Sequence, residues 1–377
     1  MLVPTLLLAL WGQPVPARAQ QPTDAELKSQ DATAEPEERH KKLASDIKKM
    51  LRDAQPLSAD DRTKFDDYFN RYYFLLLKVT KDPPKFRKDL RTYFAPGKKG
   101  PPYDRLNGLT RGMMQKFIAG DFAAPIKYNA VLVLGELNEE EPPPATPPRP
   151  WALAQKDLLT LVSSAKAPDA IKVGALVGLG RNAESHRKTP LAAETVAAII
   201  DAALPLVVQN TPPEGRSAAG HEWLRGQAIG VLGALGEVGP NQSVLKALAA
   251  IVNDPQGAVK TRAAAARALG KMNYGNAKTD GRTFAQALDL LLADGCGGEL
   301  ERAQNRSQEP DKRRVWAYLV DVQHAIDRLR STVAEGALAQ VEARVKALSQ
   351  HTEKSDWDKL KQELDKIKRP AAPAAAK

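Results

Sequence analysis

The sequence is poor in several things that chemistry usually needs. One cysteine in 377 residues excludes an intramolecular disulfide framework and any Cys-rich zinc module. Aromatics make up 6% of the chain, against 43% hydrophobic residues, which argues against a large sandwich or barrel. No run reaches the 18 apolar residues of a bilayer-spanning helix. The five histidines (His40, His186, His221, His324, His351) stand without a second His or Cys at ligand spacing, and His-Glu-x-x-His is absent. After His221-Glu222 come Trp223, Leu224 and Arg225, so the zinc-protease pattern fails. Gly-x-Ser-x-Gly is missing too. The expectation is a non-catalytic protein with no metal and no cofactor.

The net charge is +10, and it is unevenly spread. Residues 78–105 hold nine Lys or Arg against three acids, among them Lys85, Arg87, Lys88 and Arg91. Phe86, Tyr93, Phe94 and Tyr103 are interleaved with them. Cations track phosphates and rings stack on bases, so this composition suits a polyanion or single-stranded nucleic acid. The competing reading is an amphipathic helix with its aromatics in the core.

Leu2 to Trp11 form a short apolar run followed by Ala17-Arg18-Ala19, an A-x-A pattern. It predicts a signal peptide over 1–19 and a periplasmic or secreted protein, with a cytoplasmic location as the alternative. Residues 20–36 read as a disordered linker. Residues 37–120 form an N-terminal helical region, basic and aromatic. In it Leu43, Ile47, Met50 and Leu51 share one face, Ser58 opens a helix, and Phe65, Tyr68, Phe69, Tyr72 and Tyr73 form a stripe. Pro83-Pro84 is read as a helix stop. Residues 139–150, Glu-Glu-Glu-Pro-Pro-Pro-Ala-Thr-Pro-Pro-Arg-Pro, are a stiff exposed insertion. Residues 311–368 read as one or two long charged helices or a hairpin, and 369–377 as a disordered tail. Cys296, among Gly295, Gly297 and Gly298, is expected in a loop, as an idle thiol or an intermolecular disulfide partner.

Four segments repeat one pattern without gaps: a basic residue, Ala three later, and Leu-Gly at offsets seven and eight. They are Lys127/Ala130/Leu134/Gly135, Lys172/Ala175/Leu179/Gly180, Arg225/Ala228/Leu232/Gly233 and Arg262/Ala265/Leu269/Gly270. Offsets 3, 4 and 7 lie on one helix face. Ala permits close approach of a neighbouring helix, and the Gly is expected near the helix end, in a left-handed turn. Leu-rich helices stand upstream of three copies, around Leu158, Ile199 and Leu248. One such pair cannot bury its own apolar faces, so the pairs must stack. The spacing predicts an all-α protein: an α-solenoid of helix pairs over 121–295, with flanking N- and C-terminal helices. Gly226, Gly230, Gly233, Gly236 and Gly239 are read as packing positions, since neither the dinucleotide nor the Gly-Lys-Ser/Thr pattern accompanies them.

The segment Asp254-Pro255 through Arg262, Ala265, Ala266, Ala268, Leu269 and Gly270 resembles a HEAT repeat, more narrowly the HEAT-like subtype of the phycobilisome lyases. The resemblance covers roughly 121–292. It implies a stacked scaffold; such repeats also occur in lyase subunits and nucleic-acid binders. It further implies an Asp six residues before the basic residue, forming a ladder between repeats. Only Asp121, before Lys127, stands there. The four basic residues are read as structural, with a ligand-facing row as the alternative. The leading functional expectation is an extracytoplasmic scaffold that binds another protein through residues off the apolar pattern, such as Asn129, Gln227 and Arg267. A polyanion binder using 78–105 and a lyase-like enzyme are the alternatives.

Overall fold

The structure is a computed structural model, and it describes residues 37–95, 99–143, 146–275, 277, 279–334 and 336–367. The expected signal peptide 1–19, linker 20–36 and tail 369–377 lie outside them. The described chain is mostly helical, with neighbouring helices packed consecutively. It divides into two compact units between Ile126 and Lys127.

The first unit contains α1 (Glu37–Asp53), α2 (Ala59–Asp67), a π-helical turn (Tyr68–Tyr73), α3 (Leu76–Val79), α4 (Pro83–Phe94) and α5 (Pro101–Ala119). Ile47 and Leu51 put the apolar face of α1 into the core, with Leu43 and Met50 half-buried at its edge. Ser58 caps α2, its Oγ accepting from the Asp61 N–H at 3.1 Å. The aromatic stripe is the core of this unit. Phe65, Tyr68, Phe69, Tyr73 and Phe74 are buried, and Tyr93 of α4 stacks edge-on against Tyr73 at 4.9 Å. The hydroxyls of Tyr68 and Tyr93 share a hydrogen bond. Burial pushes both phenols above their ordinary range. Pro83 and Pro84 open α4 and do not close the helix before it, which has already ended at Val79. A missing N–H costs nothing in a first turn, and Asp82 caps the turn through the Lys85 N–H at 3.0 Å.

The second unit is a two-layer stack. After α6 (Ala124–Glu136), the first helices of each pair are α7 (Ala152–Ser163), α9 (Ala193–Val208), α11 (Ser243–Asn253) and α13 (Gly281–Asn305). The second helices are α8 (Asp169–His186), α10 (Ala218–Leu235), α12 (Val259–Leu269) and α14 (Lys312–Leu329). Each pair packs internally, and each layer packs in order: α7 on α9 on α11 on α13, and α8 on α10 on α12 on α14. Helices α15 (Ala339–Lys354) and α16 (Trp357–Asp365) close the far end against α13 and α14. The motif alanines Ala130, Ala175, Ala228 and Ala265 and leucines Leu134, Leu179, Leu232 and Leu269 are all buried. Between α6 and α7 the proline-rich insertion returns on itself. Strand β1 (Asn138–Glu140) pairs antiparallel with β2 (Arg149–Pro150).

The motif glycines do a different job from the expected one. Gly135, Gly180 and Gly233 lie inside right-handed helix, and Gly270 caps α12 with a right-handed φ of −63°. The left-handed turn falls three residues after Gly233, at Gly236 (φ +75°), whose N–H reaches Leu232 O at 3.0 Å. The motif glycines instead mark where one second helix crosses the next. A Cβ on Gly135 would stand 2.7 Å from Gly178 Cα, one on Gly233 2.7 Å from Ala268 Cβ, and one on Gly270 2.8 Å from the His324 carbonyl carbon. Each contact reaches the residue two before the next motif glycine.

That rule locates a fifth copy. Gly270 against His324 puts Ile326 in the glycine's place, Ala325 in the leucine's, Asp321 in the alanine's and Tyr318 in the basic residue's. Residues 311–368 therefore hold three helices, the first of which continues the second layer. Tyr318 takes the room of the missing cation because Gly295 makes space: a Cβ there would lie 2.7 Å from the Tyr318 ring.

Cys296 lies inside α13, fully buried, and not in a loop. Leu288, Leu291 and Leu292 anchor the helix and override the weak helix preference of the glycines beside it. Burial pushes the thiol up to about 12. A thiol reagent is therefore expected to leave Cys296 untouched in the folded protein and to modify it stoichiometrically after denaturation. Fast labelling of the folded chain would place Cys296 at the surface.

Candidate interaction surface

The inward face of each second helix leaves an outward row at offsets −2, 2 and 5 from the basic residue. On α10 this row is Trp223, Gln227 and Gly230, on α12 Lys260, Ala264 and Arg267, and on α14 Trp316, Val320 and Gln323. Val177 stands at the same level of α8. Trp223 is 53% exposed, Trp316 36%, Val320 43% and Val177 42%. The two tryptophans occupy equivalent positions on helices separated by α12. Neighbouring packed helices lie roughly 8–10 Å apart, so about 16–20 Å separates the two rows. The floor between them is shallow. A Cβ at Gly226 or Gly230 would meet nothing within 4 Å, and Ala264 is small.

The uncommitted cations of this surface are Lys260 and Lys271, facing exposed Asp327 on the row of α14. Helix α12 carries Lys260, Arg262 and Arg267 and no carboxylate, and exposed Lys271 follows it. The acids beside it are engaged. Arg267 grips Asp321 of α14 with both branches, Nε and Nη2 donating at 2.7 and 2.8 Å. That bond raises the guanidinium's already high pKa. Glu222 accepts from Arg225 and Thr261.

At the other end of the layer the surface is closed. Gly174, at offset 2 of α8, lies under the Tyr128 ring of α6. Asn129 of α6 is buried, although it has the same offset as Gln227. Of the three residues expected to bind, the structure brings Gln227 and Arg267 onto one face and puts Asn129 inside.

The motif cations Arg225 and Arg262 are buried, and each reaches the end of the first helix of its own pair. Arg225 donates from Nε and Nη2 to Val207 O at 3.3 and 3.2 Å, at the end of α9. Arg262 reaches Val252 O at the end of α11 at 3.4 Å and Asp294 at 2.6 Å. A guanidinium satisfies helix-end carbonyls and offsets their partial negative charge. Lys172 is also buried, which pulls its ammonium down, with Arg216 adding to the effect and Asp169 opposing it. Lys127 is half-buried. Ion pairs between repeats are made by Arg262 with Asp294 of α13 and by Arg216, before α10, which holds Asp169 of α8 by two bonds of 2.7 Å.

Two arginines escaped the sequence reading. Arg181 donates to Gly135 O at 3.0 Å and Asn138 Oδ1 at 2.6 Å, closing the end of α6. Arg187 does the same for α10, at Gly233 O and Ala234 O, both 3.3 Å. The signal for Arg181 was its place after a motif glycine, a place Lys271 shares.

The basic stretch of the first unit divides by side chain. Lys85 and Lys88 are exposed and Arg87 and Arg91 half-buried on α4. Phe86, Tyr93, Phe94 and Tyr103 are all buried, so none of them offers a ring to a base. Among the described residues no group of three His, Cys, Asp or Glu is placed to hold a metal, and no helix is long and apolar enough to cross a membrane.

A scan against protein-family models finds none that matches the chain, and a search of curated proteins finds no match.

Proposed function

We propose that the chain is an exported, HEAT-like, non-catalytic scaffold that holds an extended acidic segment of another protein across α10, α12 and α14. The observation that carries this reading is the pair of exposed tryptophans at equivalent positions, Trp223 and Trp316, on either side of a cationic helix. Exposed tryptophan is costly to leave in water and is a favoured anchor in binding hot spots. Lys260 and Lys271 between them favour carboxylates on the partner, while Arg267 is held by Asp321. Pre-set second helices keep the ordering cost of binding low.

The test is affinity capture from the extracytoplasmic fraction with the wild-type chain and with Trp223→Ala/Trp316→Ala. Trp223 is about half exposed but Trp316 only 36%, so a drop of a few degrees in melting temperature is expected and circular dichroism must show the double variant folded. A partner retained by the wild type and lost by the double variant supports the reading. Retention unaffected by the tryptophans but abolished by neutralising Lys85, Arg87, Lys88 and Arg91, with a steep loss in salt, would replace it with polyanion binding through α4.

A further inference from the structure

Trp223 and Trp316 sit near the N-terminal ends of α10 and α14; the opposite ends of the second helices enclose a hollow of about 460 Å³. That volume lies in the range of small-molecule sites. Arg187 enters its wall from beyond α8, Glu237 from beyond α10, Lys271 and Asn273 from beyond α12, and Arg328 from the last turn of α14. Three cations thus face one carboxylate. Glu237 is turned to His186, whose Nε2 lies 3.6 Å away. The Leu191 N–H donates to His186 Nδ1 at 3.0 Å, so the neutral ring carries its proton on Nε2, toward Glu237.

All three cations are exposed. Arg187 is held in place through Nε and Nη2, which donate to Ala234 O and Gly233 O at 3.3 Å, and Nη2 also bonds Lys271 O. Its Nη1 branch takes no part in these bonds. Lys271 and Arg328 are bonded to no carboxylate among the described residues. Arg328 stands close enough to the buried Tyr274 phenol to oppose the rise that burial causes in its pKa. Helix C-termini carry partial negative charge, which repels an anion. Here that charge is covered. Arg187 takes the last carbonyls of α10, and at α12 the Lys271 and Met272 N–H groups and the Tyr274 hydroxyl take Ala268 O and Leu269 O. Of the acids near the rim, Asp280 is bound into the first turn of α13 and Asp327 accepts from Gln323.

We propose that this hollow binds a small phosphate monoester, its phosphate among Arg187, Lys271 and Arg328 and its hydroxylated body toward Asn273 and Ser331. A phosphate monoester carries a charge of about −1.5 to −2 and three strong acceptor oxygens at neutral pH. That matches three cations set against one carboxylate, whereas a single carboxylate would leave a cation unmatched. Guanidinium groups bind phosphate through charge-assisted bonds about twice as strong as neutral ones. Arg187 is already fixed by its carbonyl bonds, so little ordering is left for the ligand to impose. The exposed Asn273 amide and Ser331 hydroxyl suit hydroxyl groups better than a hydrocarbon chain.

The experiment is titration calorimetry of the full chain with glycerol phosphate, compared with glycerol and with sulfate at the same ionic strength. The expected result is saturable binding of glycerol phosphate, none of glycerol, and sulfate weaker by about tenfold for want of the hydroxyl contacts. Lys271→Gln and Arg328→Gln remove exposed cations without breaking a bond to a carboxylate. Each should weaken glycerol phosphate about tenfold, the loss expected for one charge-assisted bond, and leave the unliganded melting temperature unchanged. Lys85→Gln makes the same charge change on α4 and should bind like the wild type. The Trp223→Ala/Trp316→Ala variant should also bind glycerol phosphate normally, so this site and the partner surface fail separately. The proposal is overturned if glycerol phosphate shows no saturable binding, or if Lys271→Gln and Arg328→Gln bind it no worse than Lys85→Gln. Sulfate binding as tightly as glycerol phosphate would mean an adventitious ion only, and would overturn it too.

Discussion

Leu232→Asp is expected to abolish the cooperative unfolding of the central repeats. Leu232 is completely buried in α10, and α10 packs on α8, α9 and α12. Removing a buried leucine side chain costs about 2–5 kcal/mol through lost burial and the cavity it leaves. A carboxylate in its place must also be desolvated or protonated, for roughly another 2 kcal/mol or more. Whole domains are stable by only about 5–15 kcal/mol. In a stacked array each pair contacts only its neighbours, so a defect in the middle uncouples both sides. Circular dichroism should show a melt that is broad and shifted down by more than 10 °C, and hydrogen exchange should show lost protection across α8 to α12. The control is Gln227→Glu, half-exposed on the same helix, which should move the melt within about 0.5 kcal/mol. An unchanged melting curve for Leu232→Asp would mean that α10 is not the centre of the stack.

The repeats were readable because burial repeats a spacing. Ala130, Ala175, Ala228 and Ala265, with the leucines four positions on, go into the core because offsets 3 and 7 share a helix face. The fifth second helix was not readable, and the reason is geometric. α14 keeps the crossing position but meets it with Tyr318 over Gly295 in place of a cation on a helix end. Pair contacts of that kind link residues far apart in sequence and leave no local pattern. Cys296 misled for a related reason, since tertiary burial of α13 outweighs glycine's helix penalty of about 1 kcal/mol. The basic-aromatic stretch carried two readings, and the amphipathic helix with its aromatics in the core is the one the structure bears out. Composition puts rings beside cations; the helical turn of α4 puts Phe86 and Tyr93 inside and Lys85 and Lys88 outside. Of the candidate surface, Gln227 and Arg267 followed from their offsets. Trp223 and Trp316 did not, because their equivalence depends on the register of α14.

Adding a methyl group to motif glycines should have opposite effects at two of them. Gly233 faces Ala268, and a Cβ there would lie 2.7 Å from Ala268 Cβ and 2.8 Å from its Cα. These are neighbouring helices, so α10 and α12 must move apart. Overpacking of this kind costs about 1–3 kcal/mol, against a helix-propensity gain near 1 kcal/mol. Gly233→Ala should therefore destabilise by up to roughly 2 kcal/mol and Gly233→Leu by about 3 kcal/mol or more. Gly180 carries the same motif position in α8, yet its nearest neighbour would be Val231 Cγ2 at 3.8 Å, an ordinary contact. Gly180→Ala should accordingly stabilise by about 0.5–1 kcal/mol, the helix-interior difference between the two residues. For a unit of this size that means a rise of roughly 2–4 °C per kcal/mol in melting temperature. The decisive measurement is a double-mutant cycle of Gly233→Ala with Ala268→Gly. If close approach is what Gly233 provides, removing the facing methyl should recover part of the loss, with a coupling of about 1 kcal/mol. Zero coupling would assign the glycine to helix flexibility instead. The α6–α8 crossing already shows the relieved form, where Gly135 meets Gly178 and neither helix brings a methyl.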